Sequence, residues 1–139
     1  MSEPKIKGPW RLQVPAVDDW IESNGRGHWA KTSGPIASWR RAGAVYAHKA
    51  RLPHIREPVT ITAHVHRIDN HRADAANRYP TAKAVIDGLV DAGVLDDDSD
   101  RYVTGVMMRA GARVLPREHP RGLLTLVIAI DPNPEREAP

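Results

Sequence analysis

The chain contains no cysteine, which excludes disulfide bridges and thiolate zinc sites and leaves the redox compartment undecided. It has no apolar run approaching the roughly 18 residues that a membrane-spanning helix needs. Its opening, MSEPKIKGPW, has no signal-peptide core, so a cytoplasmic protein with no membrane partner is expected. G-x-S-x-G, G-x-x-x-x-G-K and H-E-x-x-H are all missing. The nucleophile elbow, the phosphate-cradling loop and the zinc-protease helix go with them, and no nucleotide cofactor is expected. A calcium loop fails as well. Asp96, Asp98 and Asp100 keep the D-x-D-x-D spacing, but Arg101 stands where glycine is required and Met107 where the closing glutamate belongs.

What remains is ordinary for a soluble globular chain: 41% hydrophobic and 27% charged residues. The 139 residues suit one domain with one modest core, which an oligomeric partner would help. MSEPKIKGP and DPNPEREAP are rich in proline and charge, so an ordered core of about 9–130 is expected between frayed tails, 1–8 and 131–139. The net charge is +3, but it is unevenly spread. Between Arg72 and Asp100, three basic residues face seven aspartates, net −4; the remainder carries 17 basic against 10 acidic residues, net +7. An acidic patch in a basic frame suits a polyanionic substrate that must also meet a cation. A solvated acidic loop on a mildly basic protein is the plainer alternative.

Periodicity gives the elements. WRLQV, Trp10 to Val14, alternates like a short strand and stops at Pro15. Ser23 to Pro35 reads as a loop by its glycines and polar residues. From Ile36, helical spacing of Ile36, Trp39, Ala42/Gly43, Tyr46 and Ala50 predicts an amphipathic, basic helix, with Arg40 and Arg41 mostly on its outer face and Pro53 marking its end. Val59, Ile61, Ala63 and Val65 alternate with Thr60, Thr62, His64 and His66, predicting a half-buried strand. Pro80 opens a second helix whose stripe is Ala82, Val85, Ile86, Leu89 and Val90, ended by Gly93. Arg101–Ala110 and Gly122–Ile130 follow as strands, the last buried on both faces. The predicted fold is a single-domain α+β protein: a small mixed sheet packed with two main helices, in the order β-α-β-α-β-β.

The concentration of acid in GVLDDDSD, Gly93 to Asp100, is the feature that asks for a reason. It follows a helix C-terminus, where the macrodipole is already negative. Lys83 and Asp87 share a helix face four residues apart; alone they make a surface ion pair of about 0.3–0.5 kcal/mol. Asp74 precedes this helix and Asp96, Asp97 and Asp98 follow it. If the chain from Leu95 runs back along the helix, Asp74 and one or two of Asp96–Asp98 form an oxygen-rich cavity, and a divalent ion such as Mg²⁺ relieves their repulsion. His64 and His66 offer an H-x-H pair on one strand face, either as ligands or as ordinary exposed histidines.

The run ADAANRYPTAKAVIDGLVDAGVLDDDSDRYV resembles the RusA family of Holliday junction resolvases, in the wording of its actinobacterial phage branch. The family pattern is D-x-D-N, then a lysine, an aspartate four residues on, A-G-V and an acidic pair before a strand. Asp74 and Asn77 take the first motif, Lys83 and Asp87 the helix positions, and Asp97-Asp98 the pair. The likeness spans roughly residues 9–130 and is specific over Asp74–Val103. Ala76 departs from it: the family has a second aspartate there, for which Asp69, the Asn77 amide oxygen or Asp87 are the candidate substitutes.

The resemblance implies a homodimer that binds four-way DNA junctions and nicks two strands using Mg²⁺ or Mn²⁺, in the host cytoplasm if phage-encoded. Asp74 and Asp98 are then principal metal ligands and Asp97 a further ligand or a support. Lys83 stabilises charge at the scissile phosphate or positions the water, and Asp87 orients Lys83 or binds metal. Arg26, His28, Lys31, Arg40, Arg41 and Arg78 are candidates to hold the DNA backbone, with Trp29 available to stack on a base. Two other readings stay open: a branched-DNA-binding protein with weak or no cleavage, and a Mg²⁺-dependent nuclease for flaps or single strands.

Overall fold

Alternating side chains decide which face of each strand is covered. The computed structural model describes residues 8–23, 29–70 and 74–132. In it, β1 (Trp10–Pro15) buries Leu12 and Val14. β2 (Val59–His66) buries Val59, Ile61, Ala63 and Val65 and leaves the intervening threonines and histidines half-buried. β3 is Val103–Ala110 and β4 is Leu123–Ile130. They form one sheet in the order β1-β4-β2-β3, antiparallel except for the β2/β3 pair. The register sets Leu12 and Ala63 on either side of Leu126, and Ile61 beside Ile128, so one face is continuously apolar. β4 lies inside the sheet, and its first four residues are all buried, Thr125 included.

A parallel pair needs a crossover. Here it consists of a 3-10 turn, Ala75–Arg78, running straight into α2 (Tyr79–Asp91). Pro80 lies in the first turn of α2, where a missing N–H costs nothing. Thr81 is fully buried; its Oγ1 accepts from the Ile21 N–H at 2.8 Å and donates to the Ile21 carbonyl at 2.9 Å, fastening the segment after β1 to the helix. The order β-α-β-α-β-β and the α+β mixed sheet with two helices are as the sequence predicts.

Several boundaries differ, and β3, expected from Arg101, starts at Val103 after a turn. α1 spans Trp29–Lys49, seven residues ahead of the expected start at Ile36, with Pro35 inside it. Proline in a helix removes one i→i−4 bond but its own φ is helical, so the loop signal of Ser33-Gly34-Pro35 is overridden. The expected stripe holds at its middle: Trp39, Ala42 and Gly43 are buried and Tyr46 is half-buried, with Ala47 added to them, whereas Ile36 and Ala50 are exposed. Asp131, expected in a tail, is buried; its N–H donates to the Pro58 carbonyl at 2.9 Å and its Oδ2 accepts from Thr104 at 2.6 Å.

α1 and α2 touch backbone to backbone. A Cβ on Gly43 would lie 2.5 Å from the Val85 carbonyl oxygen, and one on Gly88 would overlap the Arg40 carbonyl. The outer edge of this contact is closed by Arg40, whose Nε and Nη2 donate to the two oxygens of Asp91 at 2.6 and 2.8 Å. Among the described residues no helix is long and apolar enough to cross a membrane.

Candidate active site

Helical spacing carries the Lys83 ammonium onto Asp87, Nζ to Oδ1 2.7 Å. The chain then has to turn. Gly93, at φ +80°, donates to Val90 at 3.0 Å and Val94 donates to Leu89 at 2.9 Å, the paired bonds of a Schellman ending that only a left-handed residue permits. Buried Val94 and Leu95 anchor the segment that follows, and it returns along α2 until the Oδ2 of Asp98 accepts a second hydrogen bond from Lys83.

This return answers the puzzle of acid after a helix C-terminus. Asp98 stands beside the second turn of α2 rather than beyond its negative end. Asp97 is exposed, its Oδ1 accepting the Asp98 N–H at 2.8 Å, and Asp96 meets His54 Nε2 at 2.8 Å. A cavity of about 190 Å³ opens alongside, lined by Lys83, Asp98, Asp100, Tyr79, Ile86 and the start of β3.

Partial burial works against the Lys83 charge, but its hydrogen bonds to Asp87 and Asp98 outweigh that and raise the ammonium above its ordinary value. Lys83 therefore stays protonated near neutrality and serves as a fixed cation, not a base. The same ammonium, with help from Asp87, holds the Asp98 carboxyl down at about 2.

The other expected site residues are distributed differently. Asp74 caps the 3-10 turn, its Oδ1 accepting the Ala76 N–H at 3.0 Å. In a parallel crossover, the loop after the first strand and the loop before the second start at opposite ends. The return from Gly93 brings Asp98 back to Lys83, while Asp74 stays on its own turn. Asp69 lies 3.4 Å from Arg67 Nε. Arg40 is committed to Asp91, which raises its pKa further; Arg41 is exposed. Arg78 is largely buried against Trp20, its guanidinium 4.5 Å from the ring centre. Arg26 and His28 lie outside the described residues, as do the side chains of Trp29 and Lys31 in the first turn of α1.

Of the H-x-H pair, His66 is held by the fold. His66 Nδ1 lies 2.8 Å from the Ala112 carbonyl and Nε2 lies 2.9 Å from Thr125 Oγ1. A carbonyl only accepts, so Nδ1 carries the proton and both ring nitrogens are occupied. Burial, then the neighbouring His66, lowers the pKa of His64.

Among the described residues, no group of three histidine, aspartate or glutamate side chains comes together to hold a metal ion. The donor set at Lys83 nonetheless fits one mode of divalent binding. Mg²⁺ commonly uses one or two carboxylates and takes its other oxygens from water and substrate phosphate. Asp98 and Asp87 meet at one amine, and Asp100 lines the same cavity. A dehydrated three-carboxylate cage does not fit these residues; a hydrated ion beside Asp98 does.

Arg67, Arg121 and Trp20 enclose a second cavity with Arg78. They come from three separate connections, so no local pattern in the sequence groups them. No family model matches this chain, and no curated protein matches it.

Proposed function

We propose that the chain is a metal-dependent, structure-selective endodeoxyribonuclease of the RusA kind, which resolves four-way DNA junctions as a homodimer in the cytoplasm. The observation that carries this reading is the Lys83 ammonium shared by Asp87 and Asp98 in an open cavity, with these three residues in the family's order. Asp98 would hold a hydrated Mg²⁺ or Mn²⁺, with Asp97 or Asp87 as the second carboxylate, while Asp74, which caps its own turn, is left out of this set. When bound, such an ion supplies charge relief at the phosphate and a water more acidic than bulk.

The chain's own residues do the rest. Lys83, permanently charged, faces the negative charge that builds on the phosphate oxygens during hydrolysis. Asp87 fixes the ammonium from its own helix, one turn away. Asp98, ionised at any physiological pH, keeps an anionic oxygen at the cavity wall. Arg41 and Arg78, with Arg26, His28 and Lys31, are proposed to hold the DNA backbone, while Arg40 acts mainly as a clamp between the helices.

One observation favours a second reading, a branched-DNA-binding protein with weak or no cleavage. Asp74 is engaged in its own turn, and alanine occupies position 76. Labelled four-way, flap and duplex DNAs, each with Mg²⁺, Mn²⁺ or EDTA, separate the possibilities. Paired nicks in the four-way junction with metal and none with EDTA are expected. Binding without cutting under every metal would select the second reading, and preferential cutting of flaps would indicate a different phosphodiesterase. Asp98→Asn is expected to abolish cutting while junction binding stays equal or tightens; undiminished cutting by that variant would remove Asp98 from the active centre.

A further inference from the structure

Beyond the carboxyl end of β2 lies a cavity of about 190 Å³ lined by Trp20, Arg67, Ile68, Asp69, Arg78 and Arg121. Three arginines and one aspartate line it, with Glu22 and Asp19 paired to Arg78 and Arg121. Arg78 is 12% exposed, stacks on Trp20, and has an Nε that is buried with no hydrogen-bond partner among the described residues. Three ion pairs around the cavity are long: Arg78 to Glu22 3.5 Å, Arg67 to Asp69 3.4 Å and Arg121 to Asp19 4.0 Å. Charge-assisted hydrogen bonds normally close to about 2.7–2.9 Å, and the Arg40–Asp91 clamp in this same chain does so. The arginines here are therefore held near one another with only loose pairing to their carboxylates. Burial and the nearby charge of Arg67 both press on the Arg78 cation, with Glu22 opposing them.

Such a cluster is stabilised by an anion with several acceptor oxygens, and the planar fork of arginine matches a phosphate. The position adds a second argument. Arg78 lines this cavity and Tyr79, the next residue in the chain, lines the cavity of Lys83 and Asp98, so consecutive residues serve the two sites. We propose that the arginine cavity is a phosphate subsite, holding a backbone phosphate of the nucleic-acid strand that passes the Lys83 site. The identity of the polyanion rests on the nuclease reading; the affinity for phosphate does not.

Two measurements on the full chain test this. The first is thermal unfolding with increasing inorganic phosphate. A saturable rise in Tm is expected for the wild type and its loss in Arg67→Gln/Arg121→Gln. The second is fluorescence anisotropy of a labelled four-way junction over a salt series. Arg121→Gln is expected to weaken binding roughly 3- to 10-fold and to lower the slope of log K against log salt by about 1, as loss of one phosphate contact does. Arg56→Gln, which removes an exposed charge elsewhere, controls for net charge. If the double variant does not fold, Arg121→Gln alone serves both measurements, since Arg121 is 53% exposed.

A phosphate effect that survives in the variants, or an Arg121→Gln slope no different from that of Arg56→Gln, overturns the subsite and leaves the nuclease reading standing. A phosphate effect lost in the variants, with wild-type chain that binds no DNA, keeps a phosphate site but overturns its assignment to nucleic acid, and the nuclease reading falls with it.

Discussion

Lys83 donates to carboxylates from two different segments, and the energetic consequence has a sign that can be checked. The Asp98 carboxyl is depressed from 3.8 to about 2, so its contribution to stability is complete above about pH 4 and is lost as pH falls towards 2. The Lys83 ammonium is raised above 10.5, so its contribution is complete below that pH and is lost as pH rises through the folded value. Urea unfolding from pH 5 to 2 is expected to show a steeper loss of stability for wild type than for Lys83→Met. The difference should be about 0.3–1 kcal/mol, the range for a partly exposed pair. Parallel curves would mean that the pair does not form in solution. At this scale the sequence was half legible. The i,i+4 spacing of Lys83 and Asp87 is visible in the chain, but which of Asp96, Asp97 and Asp98 joins them depends on how far the segment after Gly93 travels. His66 was open between ligand and surface histidine, because its partners Ala112 and Thr125 are 46 and 59 residues away.

The helix pair is the element on which the site is mounted, and its closeness depends on two glycines. Gly88→Ala puts a methyl group into the Arg40 carbonyl; unlike a side-chain tip, backbone cannot step aside without moving the helix. The expected cost is about 1–3 kcal/mol, the usual range for overpacking, measured by denaturant unfolding. Gly34→Ala has open space around it and is expected to be neutral or slightly stabilising, since alanine favours helix. Equal stability of the two variants would contradict the close crossing. These effects were not readable from hydrophobic spacing, which treats Gly43 and Gly88 as weak helix residues. The ends of α2 were readable: Pro80 inside the start and Gly93 past the stop act through their own backbone geometry. The start of α1 was not. Ser33-Gly34-Pro35 signals a loop locally, and a helix continuing through it costs one hydrogen bond, an amount that packing further along the chain offsets.

For the whole molecule, the sheet order restricts how the proposed homodimer could form. β4 is paired on both sides, which leaves β1 and β3 as the edges of the sheet among the described residues, together with the sheet face bearing His64 and Met107, the latter 57% exposed. Sedimentation equilibrium is expected to give twice the 15.4 kDa chain mass at micromolar concentration, and a monomer at every concentration tested would remove the symmetric two-strand cleavage from the proposal. The sequence by itself determined the α+β class, the order of elements and their apolar faces, because periods of 2 and 3.6 and the backbone habits of proline and glycine are local properties. It also determined that Lys83 and Asp87 share a face. Only the tertiary structure decided that Asp98 joins them while Asp74 does not, that β4 is interior, and that Arg67, Arg78 and Arg121 share a cavity. Those are meetings of residues far apart in the chain, and the path of the loops and the crossover between β2 and β3 sets them, not any neighbouring residue.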